Sequence, residues 1–218
     1  MKISKYIDYI DDPKDTFDQY LEKAKAYDFR CVFADIETFC HAKEVLRDTD
    51  IIVAGAVDFP EGVLGVEEKL EVFRAYEAAG FREIDYVLNQ KMVEGRDYGG
   101  IREEMSRIAE YCRVHGIMDK VIVEMCKLDG DDAAKRTICE IAKKAGPFCL
   151  KTSTGRSFGG ARLSDVKLMK EVLGDTVKIK AAGGIRDYET ARAFIEAGAS
   201  ILGATAGIAI VEGCPEKK

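Results

Sequence analysis

The sequence has 218 residues, 47% of them hydrophobic and 33% charged, and its formal net charge is −6. This composition excludes a disordered chain and predicts one globular domain over residues 1–218. The acidic balance disfavours nucleic acid and anionic membranes as partners, and no apolar run approaches the roughly 20 residues of a membrane span, so we expect a cytoplasmic protein.

Eight short runs with β-strand composition follow one another along the chain. They cover residues 5–10, 31–35, 50–59, 83–89, 120–126, 148–153, 177–182 and 199–204. Between them, apolar residues recur at intervals of three or four, which is typical of helices with one buried face. The clearest series are Val66, Leu70, Phe73 and Tyr76, then Ile101, Met105, Ile108 and Tyr111, then Leu163, Val166, Met169 and Leu173.

The continuous alternation of strands and helices predicts an α/β fold with a parallel sheet whose outside is covered by helices. An open doubly wound sheet and a closed (β/α)8 barrel both satisfy this pattern. Eight strands, with no G-x-G-x-x-G after the first strand and no G-x-x-x-x-G-K-[ST] motif, favour the single-domain TIM barrel. Catalytic groups of such barrels lie at the carboxyl ends of the strands.

The cysteines and histidines give no sign of a metal centre. Seven cysteines occur without a C-x-x-C pair, so neither a disulfide framework nor a thiolate zinc site is predicted, and buried thiols are expected. The two histidines, His41 and His115, are far apart in sequence. We expect neither a metal nor a cofactor.

Two lysines stand at predicted strand ends. Lys151 lies between apolar and hydroxylated residues in LKTSTG, and Lys180 precedes paired alanines and glycines in IKAAGG. Burial and repulsion between two nearby ammonium groups both lower the pKa of a lysine, and the free amine attacks carbonyl groups. Alternatively, each lysine extends its ammonium from the strand end to solvent or pairs with a carboxylate.

Two further charged residues belong to predicted strands. Asp85 lies in the apolar run EIDYVLN, where its carboxylate could relay protons through water or act as a structural counter-ion. Lys178 shares a strand face with Lys180, so it is either a third inward ammonium, with Glu124 as a partner, or a solvent-facing residue at the lower rim. We favour the solvent-facing position, because buried lysines are rare.

Glycines and arginines after three strands suggest an anion site. Backbone N–H groups at helix starts bind anions, and TIM barrels commonly hold phosphate at the loops after strands seven and eight. The candidate residues are Gly155, Arg156, Gly183, Gly184, Arg186, Gly203 and Thr205.

These motifs resemble the deoxyribose-phosphate aldolase family. KTSTG from Lys151, the K-x-x-G-G-I-R pattern from Lys180, the late Gly203 and the strands around Asp85 and Glu124 carry the resemblance, which spans roughly residues 30–206. It implies a (β/α)8 barrel without a metal that reversibly cleaves 2-deoxy-D-ribose 5-phosphate to glyceraldehyde 3-phosphate and acetaldehyde.

The resemblance also implies residue roles. Lys151 corresponds to the lysine that forms the Schiff base, Lys180 to the second lysine that lowers its pKa, and Asp85 to the proton-relay carboxylate. Gly155, Gly183, Gly184, Gly203 and Thr205 correspond to the phosphate-binding set.

The first strand departs from the family pattern, because Ile10 stands where a substrate-facing hydroxyl is expected. This leaves two alternatives to deoxyribose-phosphate cleavage, namely a class I aldolase for a different aldehyde or ketone phosphate and a phosphate-ligand binding barrel without catalysis. The expected partner is a small phosphorylated sugar or aldehyde, and assembly into a homo-oligomer is compatible with the sequence.

Overall fold

The computed structural model of the chain describes residues 2–215 and contains a closed ring of parallel strands surrounded by helices. The strands are β1 (Ile7–Tyr9), β2 (Cys31–Phe33), β3 (Ile52–Val57), β4 (Glu83–Val87), β5 (Met118–Ile122), β6 (Cys149–Lys151), β7 (Lys178–Ala182) and β8 (Ile201–Ala204). The α-helices are α1 (Phe17–Tyr27), α2 (Ile36–Val45), α3 (Val66–Ala79), α4 (Gln90–Gly95), α5 (Tyr98–His115), α6 (Asp132–Ala145), α7 (Leu163–Leu173), α8 (Tyr188–Glu196) and α9 (Gly207–Glu212). Short 3₁₀ helices cover Ile3–Tyr6 and Met125–Leu128.

Each strand pairs in parallel with the next one along the chain, and β8 pairs with β1. The predicted (β/α)8 TIM barrel is therefore confirmed, and the open doubly wound sheet is excluded. Seven of the predicted runs contain an observed strand, and most strands are shorter than their runs. The run 120–126 only overlaps β5, which begins two residues earlier, at Met118. The run 50–59 stops being a strand at Val57, for example, because Asp58 has a φ of 55° and turns the chain away from the sheet.

The predicted helical series form the inner faces of the helices, except for Leu163, which is exposed at the start of α7. Leu70 and Phe73 of α3, and Ile101, Met105 and Ile108 of α5, are buried in the main hydrophobic core. Carboxylates cap several helix starts, where they accept hydrogen bonds from first-turn N–H groups. The capping residues Asp97, Asp131 and Asp187 precede α5, α6 and α8.

Among residues 2–215, no helix combines the length and the apolar character that crossing a membrane requires.

All seven thiols are free, and five of them are buried as expected. The expectation is wrong for Cys40, which is exposed, and Cys214 is only partly buried. Cys40 lies on α2 next to the buried Phe39, so it faces outward where its neighbour faces the core. Sequence composition alone does not distinguish these two positions.

Lys178 is the first residue of β7 and is exposed at the amino end of the barrel. Its ammonium lies 4.6 Å from the centre of the Phe148 ring. The favoured solvent-facing position is therefore confirmed. Glu124 is not its partner, because that carboxylate accepts hydrogen bonds from the backbone N–H and the hydroxyl of Thr154.

Candidate active site

A cavity of about 640 Å³ opens at the carboxyl ends of the strands. Its wall includes apolar side chains from the first three strands and their loops, among them Ile10, Phe33 and Phe59. Nine of the ten predicted site residues line it. They are Asp85, Lys151, Gly155, Arg156, Gly183, Gly184, Arg186, Gly203 and Thr205. The tenth, Lys180, is fully buried in the barrel interior beside the cavity.

Lys151 and Lys180 are direct partners in the register of β6 and β7. The ammonium of Lys151 lies 2.8 Å from Asp85 Oδ2, and that of Lys180 lies 2.9 Å from the same oxygen. The two lysines therefore point into one environment and share one carboxylate. Only Lys151 of the two also reaches the cavity wall.

Burial lowers the pKa of Lys151 to about 8, and the positive charges of Lys180 and Lys120 act in the same direction. The nearby Asp85 opposes this shift but does not cancel it. Burial alone would raise the pKa of Asp85, but the surrounding ammonium groups hold it below its ordinary value. The site thus offers a partly deprotonated amine next to an ionised carboxylate.

The glycine-rich loops differ in detail from the expectation. Gly183 and Gly184, with φ of 91° and 80°, form a turn ahead of α8 and are not part of its first turn. Gly183 also packs against Gly160, because a Cβ at position 183 would lie 2.9 Å from the Gly160 Cα. The backbone is therefore bare and closely packed at this edge of the cavity.

Gly203 is not in a loop but inside β8. A Cβ there would lie 2.9 Å from the Ala182 Cβ and 3.3 Å from Lys180 Cε. The absence of a side chain thus makes room for the buried lysine, and Gly203 also lines the cavity. Arg156 and Arg186 are exposed on the cavity rim, and within residues 2–215 neither guanidinium has a carboxylate at ion-pair distance.

A curated deoxyribose-phosphate aldolase from Caldanaerobacter subterraneus subsp. tengcongensis is 42% identical to this chain over 224 aligned residues, which cover 97% of the chain and 93% of the relative. The chain belongs to the deoxyribose-phosphate aldolase family. No protein-family model matches the chain.

Solved structures of aldolases are similar to this chain. The aldolase QR15 superposes with a TM-score of 0.84 at 29% identity, over 97% of this chain and 95% of that chain. The tetrameric deoxyribose phosphate aldolase from Aeropyrum pernix has a TM-score of 0.83 at 24% identity, over 96% and 89% of the two chains. At that lower identity the likeness concerns the fold alone.

The barrel interior of the aldolase also contains a third lysine, which was not predicted from the sequence. Lys120 of β5 lies 2.9 Å from Asp8 Oδ2, 2.7 Å from Glu83 Oε1 and 2.7 Å from Asp85 Oδ1. These carboxylates raise its pKa well above the ordinary value despite complete burial. One sequence signal for this network was present. Glu83 and Asp85 are two positions apart on one strand, and side chains two positions apart point to the same face, so Glu83 could have been placed inside the barrel together with Asp85.

Asp8 of β1 connects this lysine to Lys180 and, through it, to Lys151. Its Oδ2 lies 2.6 Å from the ammonium of Lys180, and its Oδ1 lies 2.6 Å from Arg30 Nε. Arg30 also donates to Glu83. The barrel interior of the aldolase therefore holds one connected ionic network.

The charges of this network balance only if one lysine is neutral. The network has four basic side chains, Arg30, Lys120, Lys151 and Lys180, and three carboxylates, Asp8, Glu83 and Asp85. A surplus charge in a buried site is costly, so the proton is lost most easily from the lysine with the fewest carboxylate partners. That lysine is Lys151, whose only ion pair within residues 2–215 is with Asp85.

Asp8, Cys31 and Glu83 offer three ligand atoms within 4.8 Å of one another, but they do not fit a metal cation. Both carboxylates already pair with Arg30 and Lys120. Burial raises the pKa of the Cys31 thiol well above its ordinary value, which keeps it protonated.

We expect Glu83→Gln to destabilise the aldolase by about 3–5 kcal/mol, because it removes one of the carboxylates that balance the buried charges of Arg30 and Lys120. Urea unfolding measures the loss. Glu171→Gln is the matched control, since Glu171 forms an exposed pair with Arg136 and should change stability little. Equal losses in the two variants would contradict the importance of the buried network.

Proposed function

We propose that this aldolase cleaves 2-deoxy-D-ribose 5-phosphate to D-glyceraldehyde 3-phosphate and acetaldehyde through a Schiff base on Lys151. The observation that carries the proposal is a buried primary amine with a pKa of about 8 at the wall of a cavity edged by bare glycine backbone. About a tenth of such an amine is unprotonated at pH 7, whereas an ordinary lysine is almost fully protonated.

The reaction begins when the Lys151 amine adds to the C1 carbonyl and the adduct loses water to give a protonated imine. The electron pair of the C2–C3 bond then moves toward the imine nitrogen while the C3 hydroxyl loses its proton. Glyceraldehyde 3-phosphate leaves and an enamine remains. Protonation at C2 and hydrolysis of the imine release acetaldehyde and restore the amine.

Lys180 and Asp85 support these steps in different ways. Lys180 helps to lower the pKa of Lys151 through repulsion across the Asp85 carboxylate that both lysines contact. Asp85, together with a water molecule, takes the proton from the C3 hydroxyl and returns it to C2. Because Asp85 is strongly stabilised as an anion, it holds the proton only transiently.

The phosphate group binds at the loops after β6, β7 and β8. Gly155, Gly183 and Gly184 have positive φ, and any side chain there would be strained. Arg156 and Arg186 add positive charge at the rim, and Thr205 adds a polar side chain. Phosphate bound here lies next to the strands that carry the two lysines.

A second candidate is a class I aldolase that uses the same amine with a different aldehyde or ketone phosphate. Ile10 favours it, because this apolar side chain lines the cavity where the family pattern leads us to expect a hydroxyl. An apolar wall would weaken recognition of a substrate hydroxyl and tolerate a substituent in its place.

We further propose that residues 1–218 act as one domain in the cytoplasm, with neither nucleic acid nor membrane as a partner. The net charge of −6 and the free thiols support this proposal. The tetrameric assembly named for the Aeropyrum pernix protein supports a homo-oligomer.

The test combines turnover with trapping. We expect acetaldehyde release from 2-deoxy-D-ribose 5-phosphate, with a much higher KM for 2-deoxy-D-ribose, which lacks the phosphate. Borohydride with acetaldehyde should fix a two-carbon adduct that peptide mapping locates at Lys151. Faster turnover of another aldehyde or ketone phosphate would favour the second candidate, and an adduct on Lys180 would contradict the assigned roles.

A further inference from the structure

A second buried ionic cluster lies outside the barrel interior and has no part in the chemistry proposed above. Lys69 of α3 is fully buried, and its ammonium lies 2.6 Å from Glu104 Oε1 and 3.3 Å from Asp58 Oδ2. Glu104 belongs to α5, and Asp58 is the first residue after β3. A lone lysine thus connects two helices to a loop at the catalytic end of the barrel.

The loop of residues 58–64 is built around Asp58. The Asp58 carboxylate accepts hydrogen bonds from the backbone N–H groups of Val63 and Leu64, at 3.1 and 2.9 Å. The Asp58 carbonyl accepts a further bond from Gly62 at 2.9 Å. Asp58 itself has a φ of 55°, a conformation that non-glycine residues adopt only when surrounding contacts hold them there.

The same cluster holds the neighbouring loop after β4. Both oxygens of Glu104 accept the backbone N–H of Asn89 at 3.3 Å, and the Asn89 side chain donates to Leu64 at 3.2 Å. Lys69 is therefore the central cation of an arrangement that fixes two loops relative to each other.

Phe59 follows Asp58 directly and lines the catalytic cavity. Its ring centre lies 5.6 Å from the ammonium of Lys151. At this distance the face of the ring attracts an ammonium only weakly, whereas the bulk of the ring excludes water from the amine. Phe59 belongs to the 58–64 loop, so the position of its ring beside the amine depends on the position of that loop.

We propose that Lys69 is a positioning residue that holds the 58–64 loop in place, so that Phe59 closes the cavity over the amine of Lys151. The inference rests on the proposed Schiff-base function. The charged groups that face Lys151 are Asp85 from β4, Lys120 from β5 and Lys180 from β7, and none of them contacts Lys69. A loosened loop would leave these charges in place and admit water to the amine.

The test is the pH profile of kcat/KM for Lys69→Met, which removes the charge and keeps the length of the side chain. Water at Lys151 should raise the midpoint of the acid limb from about 8 by about one pH unit, and slow borohydride trapping at pH 7 about tenfold. Phe59→Ala should move the midpoint in the same direction, and combining the two substitutions should add little.

Lys135→Met is the matched control. Lys135 is a buried lysine of α6 that pairs with Asp165 at 2.7 Å and Asp129 at 3.5 Å, and neither carboxylate lines the cavity. It should lose stability and keep the midpoint of the parent. An unchanged midpoint in Lys69→Met, or an equal shift in both variants, would overturn the proposal.

Two further measurements cover other outcomes. If Lys69→Met does not fold, Asp58→Asn makes the same test, because it removes the charge that pairs with Lys69, while its single amide oxygen still accepts from one of the two loop N–H groups. If the parent forms no adduct on Lys151, the proposed function fails, and hydrogen exchange then tests the loop alone. Val63 and Leu64 should exchange faster in Lys69→Met than in Lys135→Met, and equal rates would refute the positioning role.

Discussion

Lys151→Ala is expected to lower kcat for aldol cleavage by about 10⁴-fold or more, since a nucleophile that forms the covalent intermediate has no substitute in the site. Lys180 is close by, but it is fully buried and pairs with both Asp8 and Asp85. It does not line the cavity, so its amine cannot take over. The rate of acetaldehyde release and the mass of the borohydride-reduced protein both measure the effect.

The proposed phosphate site should survive this substitution, because its residues lie in the loops after β6, β7 and β8. Binding of 2-deoxy-D-ribose 5-phosphate, measured by calorimetry, should stay within about tenfold of the parent value. Lys178→Ala is the control, as Lys178 is an exposed lysine at the other end of the barrel. If Lys151→Ala keeps more than a tenth of the parent activity, the Schiff base does not form at this residue.

Lys180→Met is expected to lower kcat/KM at pH 7 about 100-fold. It should also move the acid limb of the pH profile of kcat/KM to higher pH. Without Lys180 the buried network has three basic groups and three carboxylates, so Lys151 can keep its proton at no cost in charge balance. Its pKa should rise from about 8 toward the ordinary value. The fraction of free amine at pH 7 then falls tenfold for each unit of that rise.

The activity of Lys180→Met at high pH gives a second measurement. Since the loss comes from protonation, the variant should regain much of its activity near pH 10, where the parent gains little. Lys120→Met is the comparison, because Lys120 contacts the other oxygen of Asp85 and lowers the pKa of Lys151 less than Lys180 does. A pH-independent loss in Lys180→Met, or a larger midpoint shift in Lys120→Met, would contradict the role of Lys180.

Much of the fold follows from local patterns. Helices α3 and α5 were predictable because apolar residues recur every three or four positions along them and so form one buried face. Phe73 of α3 and Ile108 of α5 belong to these faces. Strand ends were less predictable. The run 148–153 ends as a strand at Lys151, since the hydroxylated residues that follow belong to the loop of the site.

The candidate site was only partly predictable. Lys151 and Lys180 stand out because lysine is unusual between apolar and small residues at a strand end. Lys120 does not stand out, as it follows Asp119 near the start of its strand. Lys69 looks like any polar helix residue, and its burial depends on carboxylates from a loop and from another helix.

The sequence by itself determined the alternation of strands and helices, the barrel class and the two lysines at neighbouring strand ends, because each of these depends on residues close together along the chain. Only the tertiary structure decided which charges surround those lysines. Closure of the barrel brings Asp8 to Lys180 across 172 positions of sequence. Electrostatic interactions depend on separation in space, so the charge balance that frees the Lys151 amine exists only once the ring of strands is closed.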